Sequence, residues 1–587
     1  MFFHSQITRM EETDVKDMSV WGARVKRNRT EVKMSQIILP CHANHREELS
    51  IGQLLKWMDS TACLSAERHA GCPCVTASMD DIHFEHTISV GQVVNIQAKV
   101  NRAFTSSMEV GIVVNCEDLY RNCHWKVCEA FATFVTRPTV NVKGHLKPLI
   151  PNTELEKVEY SIAAERRRMR LLHVDIMKDL LSKNIHRTSI SEGMFGAESQ
   201  DTEEKVPTEQ TRVESVELVL PTHANHQVST FGGQIMAWME NIATIAASRL
   251  CHAHPTLRTI DMFHFRGPSQ VGDRVILKAI VNNTFENSME VGVCAEAYQG
   301  EESLRHINSA FMTYEVLDDE GKPRPLPPIQ PEPLDGKRRY QEATARKKIR
   351  LDRKYIISCK HTEVPLSVPW DPSNQVYLSY NNVFALKMLA ARKGWVLTSK
   401  KKNVFLFTQE VNQSLCVKVE SEMNVSAERA YALLSDLSHR PKWDKHYKQC
   451  NPIVQVDADD MIYHVLAPSV TEGGKNQDFI LLASRRLPCD TGDPYIIAIR
   501  SVSLPTHPPT EDMNRGEMLC AGFIIYPVSE NVSKMCYYNQ TNPGVLPYIS
   551  MDIAGLSSSF CSVFVSCRQY LMDNGQVEPA AVSTTPL

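Results

Sequence analysis

The chain has 587 residues, 43% hydrophobic and 22% charged, with a net charge of −4. Ordinary globular composition at this length implies about four domains at ~150 residues each, with cores large enough to need no metal or disulfide staples. The slightly acidic balance argues against a general nucleic-acid binder, and no run approaches the ~20 apolar residues of a membrane span.

Residues 1–30 open MFFHSQITRMEETDVKDM and hold no long apolar core. With Glu11, Glu12 and Asp14 they read as neither signal nor transit peptide, and are expected to be a disordered tail with cations at Arg24, Lys26, Arg27 and Arg29. The seventeen cysteines are then expected to be reduced in a cytoplasmic protein. The mitochondrial matrix and lipid-droplet or other membrane surfaces stay open as further locations. Cys72–Cys74 and the trio Cys116, Cys123 and Cys128 lack zinc spacing, so no metal is expected.

Residues 31–143 form the first predicted domain. An alternating segment, KMSQIIL, leads into a loop holding His42 and Asn44. A helix follows with Leu54, Leu55, Met58, Ala62, Leu64 and Ala66 on one face, and then a run of alternating strands broken by turn residues such as Gly91. A linker and basic helix, 144–210, carry Arg166, Arg167 and Arg168.

Residues 211–325 repeat the first domain. His42, Asn44, Gly52, Trp57 and Gly91 recur as His223, Asn225, Gly233, Trp238 and Gly272, and SMEVG at Ser107 recurs at Ser288. The spacing is 181 residues throughout, and 180 for AFATFV against AFMTYE. The second helix has Ile235, Met236, Met239, Ile242, Ala243 and Ala246 on its apolar face. A period this long signals two duplicated domains and not a solenoid. The fold class is α+β, each copy an antiparallel sheet wrapped round one buried helix. The basic helix also recurs, Arg346, Lys347 and Lys348 answering Arg166, Arg167 and Arg168, which favours a ligand or partner role for it.

A proline-rich linker and the second basic helix occupy 326–363. A third region, 364–580, does not repeat, and 581–587 are a tail. A helix (AYALLSDLSHRPKWDKHY) and long strands come first. A helical face of Leu556, Phe560, Val563, Phe564, Cys567, Tyr570 and Leu571 comes last. That face either packs on a filled core or closes an apolar ligand cavity.

A long helix opened by FGGQIMAWME inside a curved antiparallel sheet resembles the hotdog fold of acyl-CoA thioesterases, over residues 31–325. The third region, through RPKWD at Arg440–Asp444 and the terminal GLSSSF helix, resembles the START lipid-binding domain and tips that reading towards a ligand cavity. The whole chain resembles thioesterases that join tandem hotdogs to a START domain. The resemblance implies hydrolysis of fatty acyl-CoA, expected to be medium to long chain, to fatty acid and coenzyme A. Coenzyme A would be part of substrate and product, and no cofactor would be required. It also implies a fatty acid or lysophospholipid at START, which regulates activity or delivers substrate, and assembly as a trimer of tandem hotdogs. A lipid carrier whose hotdogs only oligomerise, a hydrolase of acetyl-CoA and a hotdog dehydratase are the competing readings.

Thioester hydrolysis needs activated water or a nucleophile, a held oxyanion and a bound leaving thiolate. The resemblance implies sites between the two hotdogs, each taking a helix acid from one copy and a loop Asn from the other. Asp59 then joins Asn225, and Glu240 joins Asn44. Asparagine orients water or substrate but takes no proton. Gly232 and Gly233 start the second helix, where backbone N–H groups can hold an oxyanion. Glu adds a methylene, and an ångström of misplacement can cost about a hundredfold, so Asp59 with Asn225 is expected to be the main site. Ser78, Ser106 and Ser107 lack a Gly-x-Ser-x-Gly elbow, which argues against a serine hydrolase. His42 and His223 are expected to shape their loops. The family layout places coenzyme A against Ala77, Ser78 and Met79, against Ser106, Ser107 and Met108, against Phe265, Arg266 and Gly267, and against Arg168.

Overall fold

The computed structural model describes residues 29–136, 146–171, 205–358, 369–541 and 553–574, apart from 227, 319, 373, 412–413, 470–473 and 491. The two tails fall largely outside these residues, as do the side chains of Leu556 and Phe560.

The first copy comprises β1 (Val32–Ile37), α1 (Ile51–Ala70), β2 (Cys74–Met79), β3 (Ile82–His83), β4 (Val93–Ala103), β5 (Ser107–Asp118) and β6 (Cys123–Thr136), and helix α2 follows over 154–171. A short β7 (Val206–Pro207) leads into the second copy. That copy comprises β8 (Val213–Leu218), α3 (Gly232–Cys251), β9 (Thr256–Ile260), β10 (Phe263–His264), β11 (Arg274–Phe285), β12 (Ser288–Tyr298) and β13 (Arg305–Glu315). A short β14 (Ile329–Gln330) and helix α4 (Asp335–Ser358) close it.

Alternation along β4, β5, β11 and β12 sends one side of each sheet onto its own long helix. The apolar residues expected on the helix faces are buried, with one exception: Leu64 is 56% exposed. It sits on the solvent side of α1, where an isolated leucine is ordinary.

The copies also exchange strands. Two-residue β10 pairs with β2 through Met79–Phe263 and Ser78–His264, and β3 pairs with β9 through Ile82–Ile260 and His83–Thr259. Each copy thereby covers an edge of the other's sheet, which removes two open edges. Between the sheets α1 and α3 pack on each other, and each helix begins beside the second turn of its partner. A Cβ on Gly233 would lie 2.9 Å from the Lys56 Cα, and one on Gly52 would lie 3.2 Å from the Ala237 Cβ. Close helix packing thus requires glycine at Gly233 and leaves a side chain at Gly52 little room.

The outer face of each sheet is held by its trailing helix through a buried charge cluster. Glu109 of SMEVG accepts Arg166 and Arg170 of α2, and Arg170 also pairs with Asp80 at 2.8 Å. Arg166 lies over the Phe131 ring at 3.8 Å. The second copy repeats this with Glu290, Arg346, Arg350 and Asp261, and Arg346 covers Phe311. Burial would push each glutamate's pKa up, but the two arginines outweigh it and hold both below the usual range. The recurrence of the basic helix, read as a sign of a ligand or partner, has this intramolecular cause.

The third region is one sheet, antiparallel but for a short parallel strand at Asn514–Arg515, gripped by helices α5 (Gln375–Ala390), α6 (Ala427–Ser435) and α7 (Ile553–Asn574). Its strands are β15 (Val396–Lys401), β16 (Val404–Val411), β17 (Ser414–Met423), β18 (Gln449–Gln455), β19 (Asp460–Ala467), β20 (Gln477–Arg486), β21 (Tyr495–Ser501), β22 (Asn514–Arg515), β23 (Cys520–Ser529) and β24 (Val532–Thr541). Val563, Phe564, Cys567 and Leu571 of α7 pack into its core, where the Arg440–Asp444 pair of RPKWD is buried among Trp443, Phe523 and Tyr537. This region docks on α2 and β4. Glu165 meets Arg486 at 2.9 Å, Lys387 donates to the Ser161 carbonyl, and Arg102 meets Asp490 and Asp493. The repeat counterparts of Glu165 and Arg102 are Ala345 and Asn283, so the second copy cannot offer the same dock.

Candidate active site

Asp59 sits in the second turn and a half of α1 and is 1% exposed. One carboxylate oxygen accepts the Thr76 hydroxyl of β2 at 2.7 Å, and the other accepts the Gly233 N–H of α3 at 2.8 Å. Burial raises its pKa, and the two hydrogen bonds counter part of that rise. Beside it lies a cavity of about 320 Å³ lined by Thr76, Ala77, Asn225, Gly232, Phe265, Arg266 and Gly267, among others. Asn225 reaches the wall from a turn in which its side-chain oxygen accepts the Ser229 N–H at 3.1 Å. Thr76, which holds the acid of one copy, and the loop amide of the other thus border the same space, with Asp59 buried directly behind Thr76.

Glu240 occupies the equivalent turn of α3 and lines a second cavity, of about 400 Å³, with Asn44. Its surroundings differ. Leu257 stands where the first copy has Thr76, and Thr244, one turn along the same helix, donates to Glu240 at 2.8 Å instead. The carboxylate also accepts the Gly52 N–H, and burial raises its pKa. Tyr314 lies behind it, where the first copy has Phe134. Asn44 is 3.3 Å from the His254 ring nitrogen, a contact for which the first copy has Pro73. The two centres share a scaffold and differ in the groups that aim the acid.

Thr76, which donates to the Asp59 carboxylate, is the neighbour that sequence reasoning missed. A strand threonine carries no local signal, although aligning the two copies sets it against Leu257. His42 and His223 take the Leu39 and Leu220 N–H groups on Nδ1 and stack edge-on against Trp57 and Trp238, bracing the two loops.

Of the expected coenzyme A contacts, Ala77, Phe265, Arg266 and Gly267 line the Asp59 cavity. Ser78 and Met79 are buried in the strand exchange, and Met108 is fully buried. Ser106 and Ser107 lie at the β4–β5 hairpin, outside both cavities. Arg168 lies elsewhere again: its guanidinium reaches Asp457 and Asp459 of the β18–β19 turn at 3.3 and 3.1 Å, a contact between domains that no sequence spacing reveals. Gly233 spends its N–H on Asp59, whereas Gly232 borders the cavity, with a hypothetical Cβ 3.0 Å from that of Thr76. Among the described residues Cys294, Glu296 and His306 come within 4.8 Å of one another, but Lys278 already pairs with Glu296 at 2.8 Å.

Residues 49–123 and 229–304 match the Thioesterase superfamily, and residues 375–545 match the START domain. The mouse protein Acyl-coenzyme A thioesterase 11 is 61% identical over 93% of this chain and 91% of its own length. Mouse Acetyl-coenzyme A thioesterase is 49% identical over 92% and 96%. Among solved structures, an apo-hexameric acyl-CoA thioesterase is 32% identical over 26% of this chain and 97% of its own, with a TM-score of 0.25. Human STARD10 is 25% identical over 36% and 83%, with a TM-score of 0.27. With matches to both halves of its architecture and relatives spanning nearly its whole length, the chain belongs to the acyl-CoA thioesterases that carry tandem hotdog domains and a C-terminal START domain.

Proposed function

We propose that the Asp59 centre carries the hydrolysis of acyl-CoA by this enzyme. The observation that carries this reading is the Asp59 carboxylate held between Thr76 and Gly233 beside the cavity that also takes Asn225. Asp59 removes a proton from water oriented by Asn225, and the hydroxide adds to the thioester carbonyl. The oxyanion takes the Gly232 N–H, since Gly233 is committed to the acid. The tetrahedral intermediate collapses, the C–S bond breaks, and the proton on Asp59 passes to the coenzyme A thiolate. Arg266, a fork-shaped cation on the same wall, suits a coenzyme A phosphate.

The Glu240 centre is the weaker one in this reading, because Thr244 draws its carboxylate along its own helix. Asn225→Ala is therefore expected to remove most thiol release from the purified protein, and Asn44→Ala little of it. The reverse order would move the reaction to Glu240.

The substrate in this reading is a medium- to long-chain acyl-CoA, the chain being more identical to a relative named for acyl-coenzyme A without a stated length than to one named for acetyl-coenzyme A. Each buried methylene contributes about 0.8 kcal/mol, so kcat/KM should rise about fourfold per methylene from acetyl upward. A profile falling from acetyl would reassign the substrate. START holds a fatty acid or lysophospholipid and regulates the hotdogs or delivers substrate to them, which its dock on α2 supports. The tandem unit forms a trimer. Ile37 and Leu39, with their counterparts Leu218 and Leu220, leave matching apolar surface exposed at both edge strands.

A further inference from the structure

From Ala391 to Gln409 the chain carries Arg392, Lys393, Lys400, Lys401 and Lys402 and no acidic residue, although its net charge is −4. This segment spans β15 and most of β16, and β15 is the end strand of the START sheet. Pairing along it runs Leu397–Phe407 and then Ser399–Leu406, so Thr398 is a bulge.

The bulge decides which side chains share a face. Val404 and Leu406 are buried in the START core, so their neighbours Phe405 and Phe407 point outward and are half-buried. Leu397 and Lys400, three residues apart, stand opposite Phe407 and Phe405 and join them on that outer face. Leu397 is 52% exposed, whereas Val396, opposite Thr408, faces the other side of the strand. Lys400 lies 4.9 Å over the Phe405 ring, and Lys418 of β17 lies 4.9 Å over Phe407. Glu420, an acid on the same face, is engaged by Lys418 at 2.7 Å and Lys534 at 3.1 Å.

Lysines on an edge strand can serve only to block edge pairing. That role explains the cations and leaves Leu397 and the two phenylalanines unexplained, because edge protection disfavours exposed apolar groups. A cationic rim around an apolar patch fits an anionic lipid surface. Ammonium groups meet headgroup phosphates, their stems lie along the patch, and the apolar side chains enter the interface. Helix α7, which closes the START core, packs on β15, β16 and β17. A bilayer met at this hairpin therefore lies at the end of the sheet on which α7 packs.

We propose that the β15–β16 hairpin docks the protein on anionic bilayers. The test is co-sedimentation of the full chain with phosphatidylcholine vesicles, with and without phosphatidylserine. Binding is expected only with phosphatidylserine and should weaken with salt. At about fivefold per lysine, the triple variant Lys400→Gln, Lys401→Gln and Lys402→Gln should lose about a hundredfold in partitioning. Leu397→Ser should weaken binding while leaving the salt dependence unchanged. Thiol release without vesicles should match the parent in every variant, which shows that each folds and separates this test from the site assignment. Equal partitioning onto neutral and anionic vesicles overturns the proposal, as does a triple variant that sediments like the parent. Full binding by the serine variant also overturns it, since the face would then be a site for a soluble polyanion.

Discussion

Asp59→Asn is expected to lower kcat by about 10²–10⁴-fold, the range spanned by positioned proton transfer, with little change in the thermal melt. Asparagine keeps the side-chain volume and can still accept one of the two hydrogen bonds from Thr76 and Gly233, so α1 and α3 should stay packed. What disappears is the group that takes and returns the proton. Acid-side behaviour offers a check that a structural effect would not reproduce. Burial places the Asp59 pKa above its ordinary 3.8, so in the parent kcat/KM should climb with pH through a midpoint higher than that value. Thr76→Val removes one of the two hydrogen bonds that favour the anion. The protonated form then persists to higher pH, and the midpoint should move upward. Glu240→Gln should leave that limb in place. A pH profile of thiol release for the four proteins tests the assignment, and an unshifted limb in Thr76→Val would contradict it.

The duplication made much of this readable. Two copies in register expose the acid and the asparagine twice, and the swap of Asp for Glu marks the centres as unequal. The apolar faces of α1 and α3 follow from helical spacing, Leu64 being the exception. The unreadable features are contacts between residues far apart in the chain. Thr76 belongs to the site only because β2 runs past α1. Ser78 and Met79 are committed to an exchanged strand too short to announce itself by alternation. Gly233 appears as a catalytic glycine in sequence, and the structure adds that a Cβ there, or on its counterpart Gly52, would press on the neighbouring helix. The repeated SMEVG offers Ser107 and Met108 as coenzyme A contacts and suggests nothing for Glu109. Its glutamate had to be seen buried under an arginine from a helix more than fifty residues later. That same burial redirects the reading of the basic helix, and it places Arg168 against START and away from coenzyme A.

Arg166→Met should be the most destabilising single change outside the catalytic centre, costing about 3–5 kcal/mol, because it leaves the Glu109 carboxylate buried with fewer compensating charges. Arg170 and Asn101 remain on Glu109, which places the result towards the lower end. Exposure gives no relief: Glu109 is 0% exposed, and a Cβ on Gly111 would sit 2.7 Å from the Asn101 amide that closes the other side. The folded-state pKa of Glu109 lies below its ordinary 4.5, so its contribution is complete above that value and fades as pH falls towards the folded value. In Arg166→Met that acid-side loss should shrink, since the cation that holds the folded pKa below the ordinary value is gone. The double variant Glu109→Met with Arg166→Met should recover much of the stability, because replacing both buried charges by apolar groups is often neutral. The consequence extends to START, since α2 also carries Glu165 and Arg168 to Arg486, Asp457 and Asp459. Amide exchange over 154–171 and β20 should therefore rise together in the single variant and fall back in the double. If the single variant melts with the parent and exchanges no faster, the Glu109 cluster does not hold α2 on the sheet.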